Sequence, residues 1–510
     1  MNKIELPSRI TVGSFFLETL TTGMYENPLH CIREYVQNSF DAIHDAAAAN
    51  LMAVSDGRVV VSATGAAARQ NLTIRDNGIG VPMAQAVDRF VSLGASLKRP
   101  TKHAGFRGIG RLAGIAYCAI LRFTTKAAGE DLATVIEFDC AKLRAAMAPG
   151  AVPQGVSEVM KSSITASTIS ARNTDHFTEV EMVSLTDLGR ELIKPNELPN
   201  YLRQYSPSDY PDYFNWGDQI KNFAVGFGFP IPVIEVELRL KRDRIRITKP
   251  YRNSYPTSAA GHAASTLTRI ETIGSQENGW FGWFGVSNFP GEIPDATVSG
   301  LRFRQKNIQI GDVGLIENIA AKLTPKGSDR RIPRWTVGEI FIVSPAVVPN
   351  ARRDGFEDNP AWHKIKNDIQ EVTSKLVKLV RTSSKNRNRL NAPSKVIAHT
   401  RDQLESGQPV APEVAREIDA ELKEQLDKIE RAVRAGADPK EAENLIAQIK
   451  EMRENIRDLP SASTTGNAPE QKSVDLNVIL EIVKEVLADR FSKKLTSELM
   501  SEIVGRLAKR

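Results

Sequence analysis

Glu34 and Asn38 stand four residues apart in Ile32-Arg33-Glu34-Tyr35-Val36-Gln37-Asn38-Ser39-Phe40-Asp41-Ala42, and Asp41 follows three later. On a helix these three share one face, while Ile32, Val36 and Ile43 fall on another that can pack against a sheet. A carboxylate one turn from an amide can orient a water while the amide oxygen holds a divalent cation beside phosphate oxygens. Asp76-Asn77-Gly78-Ile79-Gly80 sets a second carboxylate on a glycine hinge, where the backbone can turn sharply and approach a flat ring. An aspartate buried there can accept from an exocyclic amine, a bond worth about 1.5–3 kcal/mol. Gly105-Phe106-Arg107-Gly108-Ile109-Gly110-Arg111 opens into a helical stretch and offers backbone amides to an anion. Each segment alone also reads as ordinary structure: a solvated helix face, an Asn-Gly turn, a glycine loop. No Gly-Lys-Ser/Thr follows the last loop, and Ala113 stands where a dinucleotide fingerprint needs glycine. Together the three offer a water activator, a metal ligand, a base reader and a phosphate lid, the parts that ATP hydrolysis needs.

The elements that must position them are legible around these residues. Residues 1–26 read as an N-terminal arm with a short amphipathic piece, Phe15 to Leu20. Asn27-Pro28 opens the first helix, with Asn as cap and Pro in the first turn. Arg58 to Thr64 and Asn71 to Arg75 alternate as strands. Residues 27–195 form a nucleotide-binding α+β layer, and 196–232, with the Pro-, Tyr-, Asn- and Asp-rich Pro195 to Asp218, an irregular connection. A second α/β domain spans 233–360, beginning with the alternating Glu235 to Thr248 and including Trp280-Phe281-Gly282-Trp283-Phe284 as core or interface. Residues 361–510 are a helical C-terminal region. Within it Ile418, Leu422, Leu426, Ile429 and Val433 make an apolar stripe for helix pairing. A break at Gly436 to Pro439, a linker at Ser461 to Gln471 and a last helix from Val474 follow.

Bulk composition excludes little. The 510 residues carry 25% charged and 41% hydrophobic side chains and a net charge of +6, an ordinary soluble balance that permits an acidic partner without arguing for one. Cys31, Cys118 and Cys140 lack CxxC spacing and sit in apolar segments, as small core hydrophobes of a reducing compartment do. With no apolar run long enough to span a bilayer, and an N-terminus that carries an acid and lacks the apolar stretch of a signal peptide, a cytoplasmic protein with no membrane partner is expected. Lys375 to Arg401 holds basic residues and no acid, either a solvated run or a contact for nucleic-acid phosphates.

In order and spacing, the three segments resemble the GHKL ATPase module of DNA gyrase, heat-shock chaperones, histidine kinases and MutL repair proteins. The resemblance matches the N box at Glu34, Asn38 and Asp41, the adenine-reading box at Asp76, Gly78 and Gly80, and the lid at Gly105, Gly108 and Gly110. It implies an α+β chain headed by a Bergerat-fold α/β sandwich that binds ATP with Mg2+. Glu34 is then the general base, Asn38 the magnesium ligand and Asp76 the adenine reader. Thr178, in His176-Phe177-Thr178-Glu179-Val180, resembles the threonine that supports that aspartate through water. Leu93-Gly94-Ala95-Ser96-Leu97-Lys98 resembles the stretch before the lid of the ninety-kilodalton heat-shock chaperones and adds Lys98 to the nucleotide contacts.

The second domain resembles a transducer or middle domain. Lys306, in Arg304-Gln305-Lys306, resembles the lysine that reaches the γ-phosphate in gyrase and MutL. Arg352 and Arg353, in Pro349 to Asp354, resemble the arginine loop of the chaperones. The N box is closest to the chaperones, so a homodimeric, ATP-gated clamp with a protein client or partner subunit is the leading expectation. A DNA-handling subunit of MutL, MORC or topoisomerase type, as in a bacterial phage-defence cassette, is the alternative, and a nucleotide-dependent scaffold with little turnover a third.

Overall fold

The computed structural model describes residues 27–66, 69–92, 103–105, 108, 110–148, 150–152, 154–241, 243–258, 264–323, 329–405, 410–435, 437, 439–457 and 500. They divide into two compact units, one of residues 1–392 and 432–438, the other of 393–431 and 439–510. Lys98, the arm at 1–26, the linker at 461–471 and nearly all of the last helix lie outside the described residues.

The Leu29 amide donates to Asn27 Oδ1 at 2.9 Å ahead of helix α1 (His30–Ala48), whose N-cap is Leu29, without a side-chain cap bond, and not the expected Asn27. After it come β1 (Arg58–Thr64), β2 (Asn71–Asp76), α2 (Met83–Val91), β3 (Cys118–Lys126), β4 (Leu132–Asp139), α3 (Cys140–Met147), α4 (Val156–Ser163), β5 (Ile164–Ser170) and β6 (Phe177–Leu185). Val59 and Val61 of β1 and Leu72 and Ile74 of β2 are buried, and their neighbours are half-buried or exposed. Such alternation covers one sheet face, and Ile32, Val36 and Ile43 of α1 join the same core. The less buried positions carry ion pairs, Arg122 with Glu137 and Glu181 and Arg75 with Glu179. Cys31, Cys118 and Cys140 are buried free thiols of this core.

Residues 187–226 are more ordered than their composition suggests, with helices α5 (Asp187–Arg190), α6 (Glu197–Tyr205) and α7 (Gly217–Gly226). Leu198 and Leu202 of α6 are buried and Tyr201 stacks on Tyr205 at 4.4 Å, so helical spacing of apolar groups outweighs a turn-rich composition. Strands β7 (Glu235–Leu240) and β8 (Asp243–Arg246) follow. The alternation at Glu235 places them in the second domain; instead β7 pairs parallel with β1, Val59 opposite Val236. The first sheet therefore has eight strands in the order β5-β4-β3-β6-β2-β1-β7-β8. Alternation announces a strand but not the sheet that will take it.

Next come a two-stranded piece, β9 (Ser254–Tyr255) with β10 (Ser265–Thr266), and then β11 (Arg269–Ser275), β12 (Trp280–Val286), β13 (Gly300–Gln305), β14 (Ile308–Ile310), α8 (Gly314–Ala320) and β15 (Val337–Ile342). The second sheet runs β11-β12-β15-β13-β14. Every residue of β12 is buried, Trp280 and Phe284 in one apolar cluster and Phe281 and Trp283 in another, so the aromatic run is core on both sheet faces. At its centre Glu339 is wholly buried and accepts from Lys249 Nζ at 3.0 Å, from Arg304, from the Tyr210 hydroxyl and from Trp283 Nε1 at 3.2 Å.

Helix α9 (Pro360–Glu405) runs out of the second domain, and α10 (Pro412–Arg434) and α11 (Pro439–Arg457) belong mainly to the second unit. Ile418, Leu422 and Ile429 of the apolar stripe are buried, and Arg453 pairs with Asp419 at 2.6 Å between α10 and α11. No helix among the described residues is long and apolar enough to cross a membrane.

Candidate functional site

Helix α1 carries the polar face. Glu34 is 9% exposed, Asp41 2% and Asn38 half-buried, although all three project from a helix otherwise packed on the sheet. Asp41 does not wait for a ligand with both oxygens: Oδ1 accepts from the Ala104 amide at 2.7 Å and Oδ2 from the Gly105 amide at 3.0 Å. It ties the start of the glycine loop to the helix. A Cβ on Gly105 would lie 2.9 Å from Asn38 Oδ1, and one on Gly110 would overlap the Glu34 carboxylate. Glycine at these two positions lets the loop backbone approach the amide oxygen and the acid closely. Gly108 takes a left-handed φ of +74° between them.

The second box meets the other end of the same helix. Ile79 donates its amide to the Ala42 carbonyl at 2.9 Å, and Gly78 packs so closely on Ala42 that no side chain fits. Eight residues separate Glu34 from Ala42, roughly 12 Å along the axis, so one helix spaces the acid from the glycine hinge. Gly80 has φ +66°, and a Cβ there would overlap the Lys126 carbonyl. Asp76, 5% exposed, accepts through Oδ1 from the Gly78 amide at 2.9 Å and the Thr178 amide at 3.2 Å. The Thr178 contact follows from strand register, Asp76 lying opposite Thr178 between β2 and β6. Thr178 also meets Thr125 hydroxyl to hydroxyl at 3.1 Å, and Thr125 takes the Val81 amide at 2.9 Å. Sequence reasoning missed Thr125, which stands in a strand with no motif around it.

Among the described residues, Arg353 of the second domain reaches this site. Arg353 Nε lies 3.3 Å from Glu34 Oε1, and its Nη2 donates to the Ala104 carbonyl at 2.6 Å. The residue sits on a left-handed backbone, φ +57°, in the Pro349 to Asp354 loop, and is 7% exposed. Arg352 points elsewhere: its side chain is exposed, and its carbonyl accepts from Arg33 Nη2 at 3.2 Å. Lys306 occupies the hairpin between β13 and β14 with Asn307, φ +50° and +61°. Arg33, missed in the sequence, is 2% exposed, lies 3.8 Å from Glu34 Oε1 and stands over the Tyr205 ring at 5.8 Å. Burial and the Arg33 charge push His30 down to about 3, so the ring beside this arginine stays neutral. Glu34 thus lies between two guanidinium groups.

The donor set suits a magnesium ion held mainly by phosphate oxygens. The backbone at Gly105 lies close to a neutral amide oxygen, and among the described residues no cluster of three acids, histidines or cysteines forms an all-protein metal cage. A cavity of about 380 Å³ lies elsewhere, lined by Ser55, Asp209, Glu235 and Arg246 among others, and contains none of these residues.

Residues 25–166 match the family described as histidine kinase-, DNA gyrase B-, and HSP90-like ATPase. No curated protein matches the chain.

Proposed function

Because residues 25–166 belong to the GHKL superfamily of ATPases, we propose that this protein is an ATP-hydrolysing clamp resembling the ninety-kilodalton heat-shock chaperones. The observation that carries this reading is the meeting of Glu34 and Asn38 with Gly105 and Gly110 and with Arg353 of the second domain. A site completed by the following domain can couple nucleotide state to domain position.

In this reading Asp76 accepts from the adenine amino group, and the phosphates run along α1 toward Glu34. Asn38 holds the magnesium ion, which when bound neutralises charge on the phosphate oxygens. Glu34 orients a water and takes its proton as the water oxygen attacks the γ-phosphorus. The bond to the bridging oxygen of ADP breaks, and inorganic phosphate leaves. Arg353 stabilises the charge that develops there. Asp41 holds the lid at Ala104 and Gly105, a positioning role.

Asp76→Asn should weaken ATP binding about 10- to 100-fold, the loss of one charge-assisted bond. Titration calorimetry reads it directly, and unchanged affinity would remove Asp76 from the adenine contact. Gating is tested on a dimer labelled at Ala49→Cys, since the native thiols are buried. A non-hydrolysable ATP analogue should shorten the label-to-label distance; a distance indifferent to nucleotide would end the clamp proposal.

A second reading, a DNA-handling ATPase, draws on α9. Lys375, Lys378 and Lys385 are exposed there with no ion pair among the described residues, in a run without acids. Turnover stimulated by DNA, with a steep salt dependence, would favour it over the chaperone-like clamp.

A further inference from the structure

Natural sheets protect their outer strands with charge, proline, a bulge or brevity, because a bare edge offers unpaired amides and carbonyls to any extended chain. Three of the four edges of the two large sheets follow this rule. Strand β8 is four residues long and carries Asp243, Arg244 and Arg246. Strand β11 carries Arg269 and Glu271, and β14 is only three residues, all buried.

The fourth edge breaks it. Strand β5, Ile164-Thr165-Ala166-Ser167-Thr168-Ile169-Ser170, is seven residues long and ends the eight-stranded sheet. One side pairs in unbroken antiparallel register with β4, from Phe138 opposite Ile164 to Leu132 opposite Ser170. No strand pairs with the other side among the described residues. Residues 165–170 are exposed on both faces, Ile169 by 50%. From Ser162 to Ala171 there is no charge, no proline and no glycine, while four of the seven strand residues are β-branched. This is a long, regular, β-prone edge with none of the usual protection.

We propose that β5 is an interface for a second copy of this chain, the two β5 strands pairing antiparallel across a two-fold axis at Ser167. The choice of occupant follows from charge. Self-pairing sets every residue against one from the same short segment, so a charge on the axis would meet its like, and this segment has none. Centred on Ser167, the register puts Thr165 opposite Ile169 and Ala166 opposite Thr168 of the second copy. The apolar Ile169 then gains a β-branched neighbour, and the two sheets continue as one. This contact needs no nucleotide and uses none of the residues assigned to the ATP site. It would hold the two copies together while the nucleotide-gated contact opens and closes.

The experiment is sedimentation equilibrium of the full chain without nucleotide, from about 1 to 100 µM. The wild-type chain should dimerise. Ser167→Lys and Ser167→Glu each place like charges across the axis and should weaken the dimer by at least about tenfold. An equal mixture of the two variants should restore association, since opposite charges then face each other, and this recovery also shows that both chains are folded. A monomeric wild-type chain overturns the proposal. So does a dimer that neither substitution weakens, which would assign association to another surface such as residues 1–26 or the C-terminal helices. Failure of the mixture to recover overturns the two-fold at Ser167.

Discussion

Glu34→Ala should lower ATP turnover by about 10²- to 10⁴-fold, the range for loss of a positioned general base. Its effect on ATP affinity should be far smaller. The acid abuts Gly110 and the Arg353 guanidinium, at the phosphate end of α1 in the proposed pose, while the adenine contact lies at the Asp76 hinge. Binding and chemistry therefore separate along one helix. Alanine also strips Arg353 of its carboxylate partner, so Glu34→Gln is the necessary companion: it keeps the shape and the hydrogen-bonding reach and loses the basicity. Both variants should bind ATP in calorimetry and fail in single-turnover hydrolysis. Turnover within a few fold of the parent chain would show that another group activates the water.

The second large effect is on stability and lies far from any nucleotide. Glu339→Gln should destabilise the second domain by about 3–5 kcal/mol, because it leaves buried cations without their counter-charge. Glu339, Arg304 and Lys249 are all within 1% of fully buried. Burial alone would raise the Glu339 carboxyl, but Arg304 and Lys249 overcome it and hold the group down at about 2. Lys249 moves the other way: burial pushes it down to about 7 despite the neighbouring carboxylate, with Arg304 adding repulsion. Near neutral pH the constant charge pair is therefore Arg304 with Glu339, and Lys249 is the group that titrates.

The sign of the pH dependence follows from these values. The folded-state value of Glu339 lies below the ordinary 4.5, so its stabilisation is fully present above pH 4.5 and is lost as pH falls through about 2. The gap in urea midpoint between the parent chain and Glu339→Gln should be widest near pH 6 and close on acidification. A gap that stayed constant down to pH 2 would mean the carboxylate charge is not what the cluster relies on. Arg304 also donates to the Asn307 carbonyl at 3.0 Å, and Asn307 Nδ2 donates to the carbonyls of Ser208 and Pro232 at 3.2 and 2.9 Å. The same substitution should therefore loosen the hairpin that carries Lys306.

How much of this was readable in advance depends on the range of the interactions involved. The polar face of α1 and its buried face at Ile32, Val36 and Ile43 follow from residues within two turns, and the helix forms as that spacing requires. The burial of Cys31, Cys118 and Cys140 and of the Trp280 to Phe284 run needed only local apolarity. Helix α6 went unread because Pro195 to Asp218 is rich in turn-forming residues, and tertiary burial of Leu198, Tyr201 and Leu202 outweighs that preference. Strand β7 was legible as a strand but not as a neighbour of β1, since parallel partners leave no local trace.

The sequence by itself determined the chemistry on offer: an acid and an amide one turn apart, an acid on a glycine hinge, and a glycine loop, in that order. Tertiary structure alone decided which groups meet. It turned Asp41 toward the Ala104 and Gly105 amides, and set Thr178 against Asp76 through strand register. It also brought Arg353, and not its exposed neighbour Arg352, to within 3.3 Å of Glu34 Oε1. Two adjacent arginines are equivalent as letters. A left-handed backbone at one of them sends their side chains apart, and only packing across more than 300 residues of chain brings that loop to α1.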